Sequence, residues 1–226
     1  MVTLRIYLKI IILVSFFYAD ENILLLNELK SNAGWVLIDQ REDSIMIYEK
    51  KINNMELKAL RVEKIIDFDY NYILDTVMDI GNYPKALENP DLSSFVVGQS
   101  QKDDFIYAYN HISIPFPFVD DRHYFFKIKK TSDYEINWIL VSESEANSIY
   151  KFERILDKKS GSVYIDYGAG IWKVEPITQN LSSVSYSLYM DSGGLITDYL
   201  NDLFASQSII NLYKGVIKNS KKKQSR

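Results

Sequence analysis

The chain has 226 residues, 47% of them apolar and 25% charged, with a net charge of −4 and no cysteine. That length and apolar content suit one substantial domain. The acidic balance argues against a general nucleic-acid binder, which needs a basic face. The absence of cysteine excludes disulfides, thiolate nucleophiles and Cys-ligated metal clusters.

Arg5 and Lys9 precede the apolar run Ile10-Ile-Ile-Leu-Val-Ser-Phe-Phe-Tyr-Ala19. A basic start and a short apolar core are expected to be a signal peptide over 1–19. That places the protein outside the cytoplasm, periplasmic or secreted. Cytoplasmic retention and anchoring by the uncleaved segment are the alternatives. One domain is expected over 20–218, with a basic disordered tail at 219–226.

Residues 20–32 carry Leu24, Leu25, Leu26 and Leu29 as a short amphipathic helix. Residues 35–39, 44–52 and 57–66 read as strands separated by polar turns. Residues 69–87 read as helix, with Asp69 as its N-cap. Strands follow at 93–99, 104–114, 122–131, 136–142, 148–155, 162–176 and 182–190. Their short polar connections favour antiparallel pairing. Residues 195–218 place Ile196, Tyr199, Leu200, Leu203, Phe204, Ile210, Tyr213 and Ile217 at helical spacing, over about 36 Å at 1.5 Å per residue. The fold class is α+β: a curved antiparallel sheet wrapped around a long C-terminal helix.

A lidded sheet implies a pocket, and strand alternation nominates its lining. In 122–131, Lys127 and Lys129 should face water, so Tyr124, Phe126 and Ile128 face inward and Arg122 shares their parity. Arg122 either holds a polar headgroup or pairs with Asp120 or Asp121. In 104–114, the face bearing Tyr107, Tyr109 and His111 fits a pocket with a few polar handles, or simple two-sided burial. The only histidines, His111 and His123, lack metal-binding or triad spacing, so no catalytic or metal site is expected. Gly193-Gly194 reads as a turn joining strand to helix.

Several motifs carry a family resemblance. They are Gly34-Trp35 with Ile45-Met-Ile-Tyr48, Phe116-Pro-Phe-Val-Asp-Asp-Arg122, Tyr167-Gly-Ala-Gly-Ile-Trp-Lys-Val-Glu-Pro176, and Asp191-Ser-Gly-Gly-Leu-Ile with Leu200-Asn201. Together they resemble the START lipid-transfer domain, a helix-grip (START/Bet v 1-like) fold of the SRPBCC superfamily, over about residues 20–218. Thr197 stands where the family usually has Pro, His123 where it has Asp, and Tyr199 where Trp is common. A gapless extension puts uncharged Tyr109 and Ile128 at the acid–base pair of sterol-binding members, so sterol selectivity does not carry over. The resemblance implies noncatalytic binding, and intermembrane transfer, of a lipid or other hydrophobic molecule by a monomer. It implies transient membrane contact, no cofactor and no nucleic acid. Tyr107, Tyr109, His111, Arg122, Tyr124, Phe126, Tyr186, Leu200 and Phe204 would line the pocket, and Gly193 and Gly194 would hinge its lid. The alternative is a cyclase- or hydrolase-type enzyme acting on a hydrophobic substrate, with Tyr109, His111 and Arg122 as its acid–base groups. A third reading is a protein-interaction module.

Overall fold

A curved antiparallel sheet with a long helix laid along its concave face organises the computed structural model. The structure describes residues 21–53, 55, 57–86, 89–100, 103–115, 117, 119–156, 161–178, 180–191 and 198–225, with backbone alone for 150 and 198–207. The expected signal segment and the Gly193-Gly194 hinge lie outside the described residues, as do the side chains of Leu200 and Phe204.

Helix α1 (Glu21–Lys30) leads into β1 (Val36–Gln40), β2 (Met46–Lys51) and β3 (Lys58–Ile66). Then come α2 (Asn71–Met78), a 3-10 turn (Ile80–Asn82) and α3 (Tyr83–Ala86). Strands β4 (Leu92–Gln99), β5 (Ile106–Ile112), β6 (Arg122–Ser132) and β7 (Glu135–Leu140) follow. Two short helices, α4 (Glu143–Ser148) and α5 (Tyr150–Leu156), precede β8 (Val163–Tyr164), β9 (Gly168–Pro176), β10 (Ser182–Met190) and α6 (Asp198–Gln224). Among the described residues the strand order is β1-β2-β3-β10-β9-β7-β6-β5-β4, with β8 paired in parallel beside β6.

The central strands of the sheet are buried on both faces, while the edge strands β1 and β4 are largely exposed. On the concave side, Val62, Trp172, Val184 and Tyr186 meet Ile209, Ile210, Tyr213 and Val216 of α6, with Ile73, Leu74 and Val77 of α2 in the same core. On the convex side, Leu25 and Leu29 of α1 cover Ala59, Ile139, Ala169 and Ile171. At the other end of that face, Ala146 and Phe152 of α4 and α5 cover Tyr109, Phe125 and Val141. Runs such as Tyr124-Phe-Phe126 therefore have an apolar partner on either side.

Asn22 fastens α1 to the sheet. Its amide donates to the carbonyls of Leu140 (3.0 Å) and Asp166 (2.9 Å), and its Oδ1 accepts from the Gly168 N–H (2.9 Å). The Gly34-Trp35 corner beside it turns through a positive φ of 84° at Gly34. The Trp35 ring lies under the Arg61 guanidinium at 4.2 Å, and its Nε1–H donates to the Ser31 carbonyl.

The segment 148–155, read as a strand, is part of a helical pair instead. Ser142 caps α4 by accepting from the Glu145 N–H at 3.1 Å, with Glu143 and Glu145 in the first turn. The span read as 162–176 divides into β8 and β9. The expected helix over 69–87 breaks into α2, the 3-10 turn and α3, and the Asp69 carboxylate accepts from the Asn71 N–H at 2.9 Å just before α2. The basic tail is not separate: α6 runs on to Gln224. Ser220 Oγ donates to Thr76 Oγ1 (3.1 Å) and Lys223 pairs with Asp79 (3.2 Å), so the last turns are tied to α2 and to the residue that follows it.

Gly170 pairs with Trp138 across β9 and β7, and a Cβ there would sit inside van der Waals contact with the Trp138 indole. Gly170→Ala is expected to displace that ring and destabilise the fold by about 1–3 kcal/mol, measured by urea unfolding. An unchanged midpoint would contradict the packing described.

Candidate functional site

The concave wall formed by β4, β5 and β6 holds the most unusual chemistry of the interior. On β5 the inward residues are Ile106, Ala108, Asn110 and Ile112; on β6 they are Arg122, Tyr124, Phe126 and Ile128. Strand register fixes this. Ser94 of β4 pairs with Asn110, and Asn110 pairs with Tyr124, so the three form one row across the sheet. Asn110 Nδ2 donates to Tyr124 Oη at 2.9 Å. Asn110 Oδ1 and Ser94 Oγ are both buried and have no hydrogen-bond partner among the described residues. Such an atom costs about 1–3 kcal/mol if nothing else reaches it.

Apart from Arg122, the rest of the wall is apolar or neutral. Tyr83, whose ionisation is raised by burial and then by nearby Tyr124, donates its hydroxyl to the Val77 carbonyl. Farther along, Tyr186 stacks on Trp172 (4.3 Å between centroids, 14°), and Trp172 stacks in turn on Tyr213 (5.7 Å, 4°). Tyr213 Oη donates to the Val184 carbonyl at 2.7 Å. Burial pushes the hydroxyl ionisation of Tyr124, Tyr186 and Tyr213 upward. All four tyrosines stay neutral at physiological pH.

Arg122, Tyr124, Phe126 and Tyr186 lie on the concave side expected of them. Arg122 is 4% exposed and donates to the Asp120 backbone carbonyl. The Asp121 carboxylate, the other pairing partner weighed for it, takes the Ile114 N–H (3.0 Å) and faces His111 Nε2 (3.2 Å). Tyr107, Tyr109 and His111 are corrected: they face the convex side. Tyr109 packs on Phe125 and Phe95, and Tyr107 on Phe152. His123 is opposite His111 in register, its Nδ1 3.2 Å from Tyr109 Oη. A face rich in tyrosine fitted a pocket lining, but here it is the seat of α4 and α5. Ser94, Asn110 and Tyr83 were missed. The signal for Asn110 was register: once Lys127 and Lys129 set the outward face of β6, antiparallel pairing at Asn110 and Tyr124 carries the even residues of β5 inward.

Among the described residues, cavities also lie elsewhere. One of about 130 Å³ sits between α6 and the β2–β3 edge, against Asp43, Lys64 and Lys214. A larger groove of about 300 Å³ runs over the convex face. Its charges are met by neighbours: Arg61 Nε donates to Ser187 Oγ (2.8 Å), Ser183 Oγ to Glu63 (2.6 Å), and Lys30 pairs with Glu135 (3.2 Å). A ligand there would have to break those pairs, so size alone does not make it the better site. Among the described residues, no group of three or more His, Asp or Glu side chains is placed to hold a metal. No described helix is long and apolar enough to cross a membrane.

No family model and no curated protein matches the chain. Solved structures do. Human StAR-related lipid transfer protein 5 aligns with a TM-score of 0.68 at 16% identity, over 94% of this chain and 98% of that one. Human STARD10 aligns at 0.65 and 14%, over 91% and 82%. A STAR-related lipid transfer protein fragment from Xanthomonas axonopodis aligns at 0.64 and 19%, over 83% and 99%. At these identities the likeness establishes the fold.

The interior tyrosines give a pH dependence with a definite sign. Burial raises their ionisation above the ordinary value of 10.0. The native state then keeps protons that the unfolded chain releases. Their stabilisation is complete below pH 10 and is lost as pH rises beyond it, by up to about 1.4 kcal/mol per unit for each tyrosine. Tyrosinate absorbance is expected to include a cooperative step that coincides with loss of near-UV circular dichroism. Full ionisation of all tyrosines in a still-folded protein would contradict this burial.

Proposed function

We propose that this chain, which has the START helix-grip fold, binds a lipid or similar apolar molecule between its sheet and its C-terminal helix, without chemistry. The observation that carries this reading is how the ionisable groups divide between the two faces of the sheet. His111 and His123 lie on the convex side, while the concave wall is built from aliphatic side chains, neutral tyrosines and tryptophans around Asn110 and Arg122. Among the described residues, no Asp or Glu is buried. The acid–base trio of an enzyme reading does not converge, because Tyr109 and His111 face away from Arg122.

The energetics suit a carrier. Each buried methylene is worth about 0.8 kcal/mol, whether a protein or a bilayer supplies the apolar surroundings. A pocket as apolar as a membrane therefore exchanges its ligand at nearly no net cost, and only a gate is needed. The lipid transfer proteins named above share this fold over most of the chain, which supports the same use here.

The test is native mass spectrometry of the full chain after exposure to a total membrane lipid extract. A discrete adduct of lipid mass is expected, and His111→Ala with His123→Ala should retain it. A clean apo mass across phospholipids, fatty acids and neutral lipids would overturn the proposal. Loss of binding in the folded histidine variant would move weight to the enzyme reading.

A further inference from the structure

We infer that the row Ser94–Asn110–Tyr124 is a headgroup site for a neutral hydroxyl on an otherwise apolar ligand. This rests on the hydrophobic-ligand reading and names the ligand's polar end. Three observations converge on it.

The first is position. The three residues are in register on β4, β5 and β6 and share the concave face with Ala108, Ile112, Phe126 and Ile128. A polar row crosses an apolar wall there. The second is unmet hydrogen bonding. Asn110 is 5% exposed, yet its Oδ1 has no partner among the described residues, and neither has Ser94 Oγ. Turning the amide over does not resolve this, because either orientation leaves one amide atom unpaired. Tyr124 Oη accepts from Asn110 Nδ2, which leaves the phenol proton to be donated.

The third is the pattern of donors and acceptors. Asn110 Oδ1 can only accept, Tyr124 Oη–H can donate, and Ser94 Oγ can do either. A ligand hydroxyl donates one bond and accepts others, so it satisfies all three at once. A carboxylate only accepts, and its charge would face the Asn110 carbonyl. The adjacent inward cation, Arg122, gives one of its five N–H donors to the Asp120 carbonyl, so the acid is the control that reads whether its charge outweighs the row. A site complementary to an alcohol discriminates against analogues that leave its buried atoms unpaired.

The experiment compares hexadecanol, hexadecanoic acid and hexadecane at neutral pH on the full chain. Binding is read by native mass spectrometry and by tryptophan fluorescence. The alcohol is expected to bind roughly fivefold to tenfold more tightly than the alkane and more tightly than the acid. Asn110→Leu should reduce the alcohol's advantage over the alkane to within about twofold while the alkane still binds. Ser94→Ala and Tyr124→Phe should each reduce it in part, so the test stands even if Asn110→Leu misfolds. Equal retention of alcohol and acid, or an alcohol advantage that survives Asn110→Leu, would overturn the inference and leave the row satisfied by water alone. Failure of all three probes to bind the wild-type chain would instead overturn the hydrophobic-ligand reading.

Discussion

Tyr213, Trp172 and Tyr186 form the contact on which the concave side depends. The Trp172 ring stacks on Tyr213 of α6 and on Tyr186 of β10, so one indole joins helix and sheet. The Tyr213 hydroxyl is spent on the Val184 carbonyl, which fixes the helix against β10 as well as against β9. Aromatic burial of this kind contributes both area and preferred geometry. Around it, Lys214 reaches Asp43, Asn219 reaches the Ala86 carbonyl and Ser220 reaches Thr76. Tyr83 packs against the same core and lies near Tyr124 of the polar row.

Covering both faces of the sheet has a functional side. It keeps His111 and His123 buried on the side away from the concave wall. His111 and Asp121 hold the turn between β5 and β6, and His123 is enclosed by Tyr109 and Tyr164. The same strands therefore carry a structural polar network on one side and a largely neutral wall on the other.

Much of the fold was legible in the chain. The strand β10 was read to the residue, and most other strands to within two, because polar turns punctuate them. The last helix announced itself through Ile210, Tyr213 and Ile217. The errors have physical causes. Residues 148–155 hold Ile149, Phe152 and Ile155 at helical spacing, yet Ile149, Tyr150 and Phe152 also read as a strand run. Two-sided burial defeated alternation on β5: Tyr109 and Ala108 are both fully enclosed, so neither polarity nor size marks the inside. On β6 alternation worked, because Lys127 and Lys129 reach its outer edge. The candidate headgroup row was illegible for a different reason. Ser94, Asn110 and Tyr124 lie far apart in sequence, and only register assembles them.

Register also dictates when this protein can fold. β3 has β2 on one side, but its other edge is completed only by β10, where Val62 meets Tyr186 and Leu60 meets Leu188. Asn22, near the start of the described chain, closes its hydrogen bonds on Leu140, Asp166 and Gly168. The N-terminal third therefore waits on the ribosome with an open strand edge, and with α1 lacking its partners on β7, β9 and β10, until β10 emerges. Pairings over such separations pay their loop-closure entropy before any contact repays it. A chain built this way folds late and slowly, and it favours keeping that early edge covered while it waits.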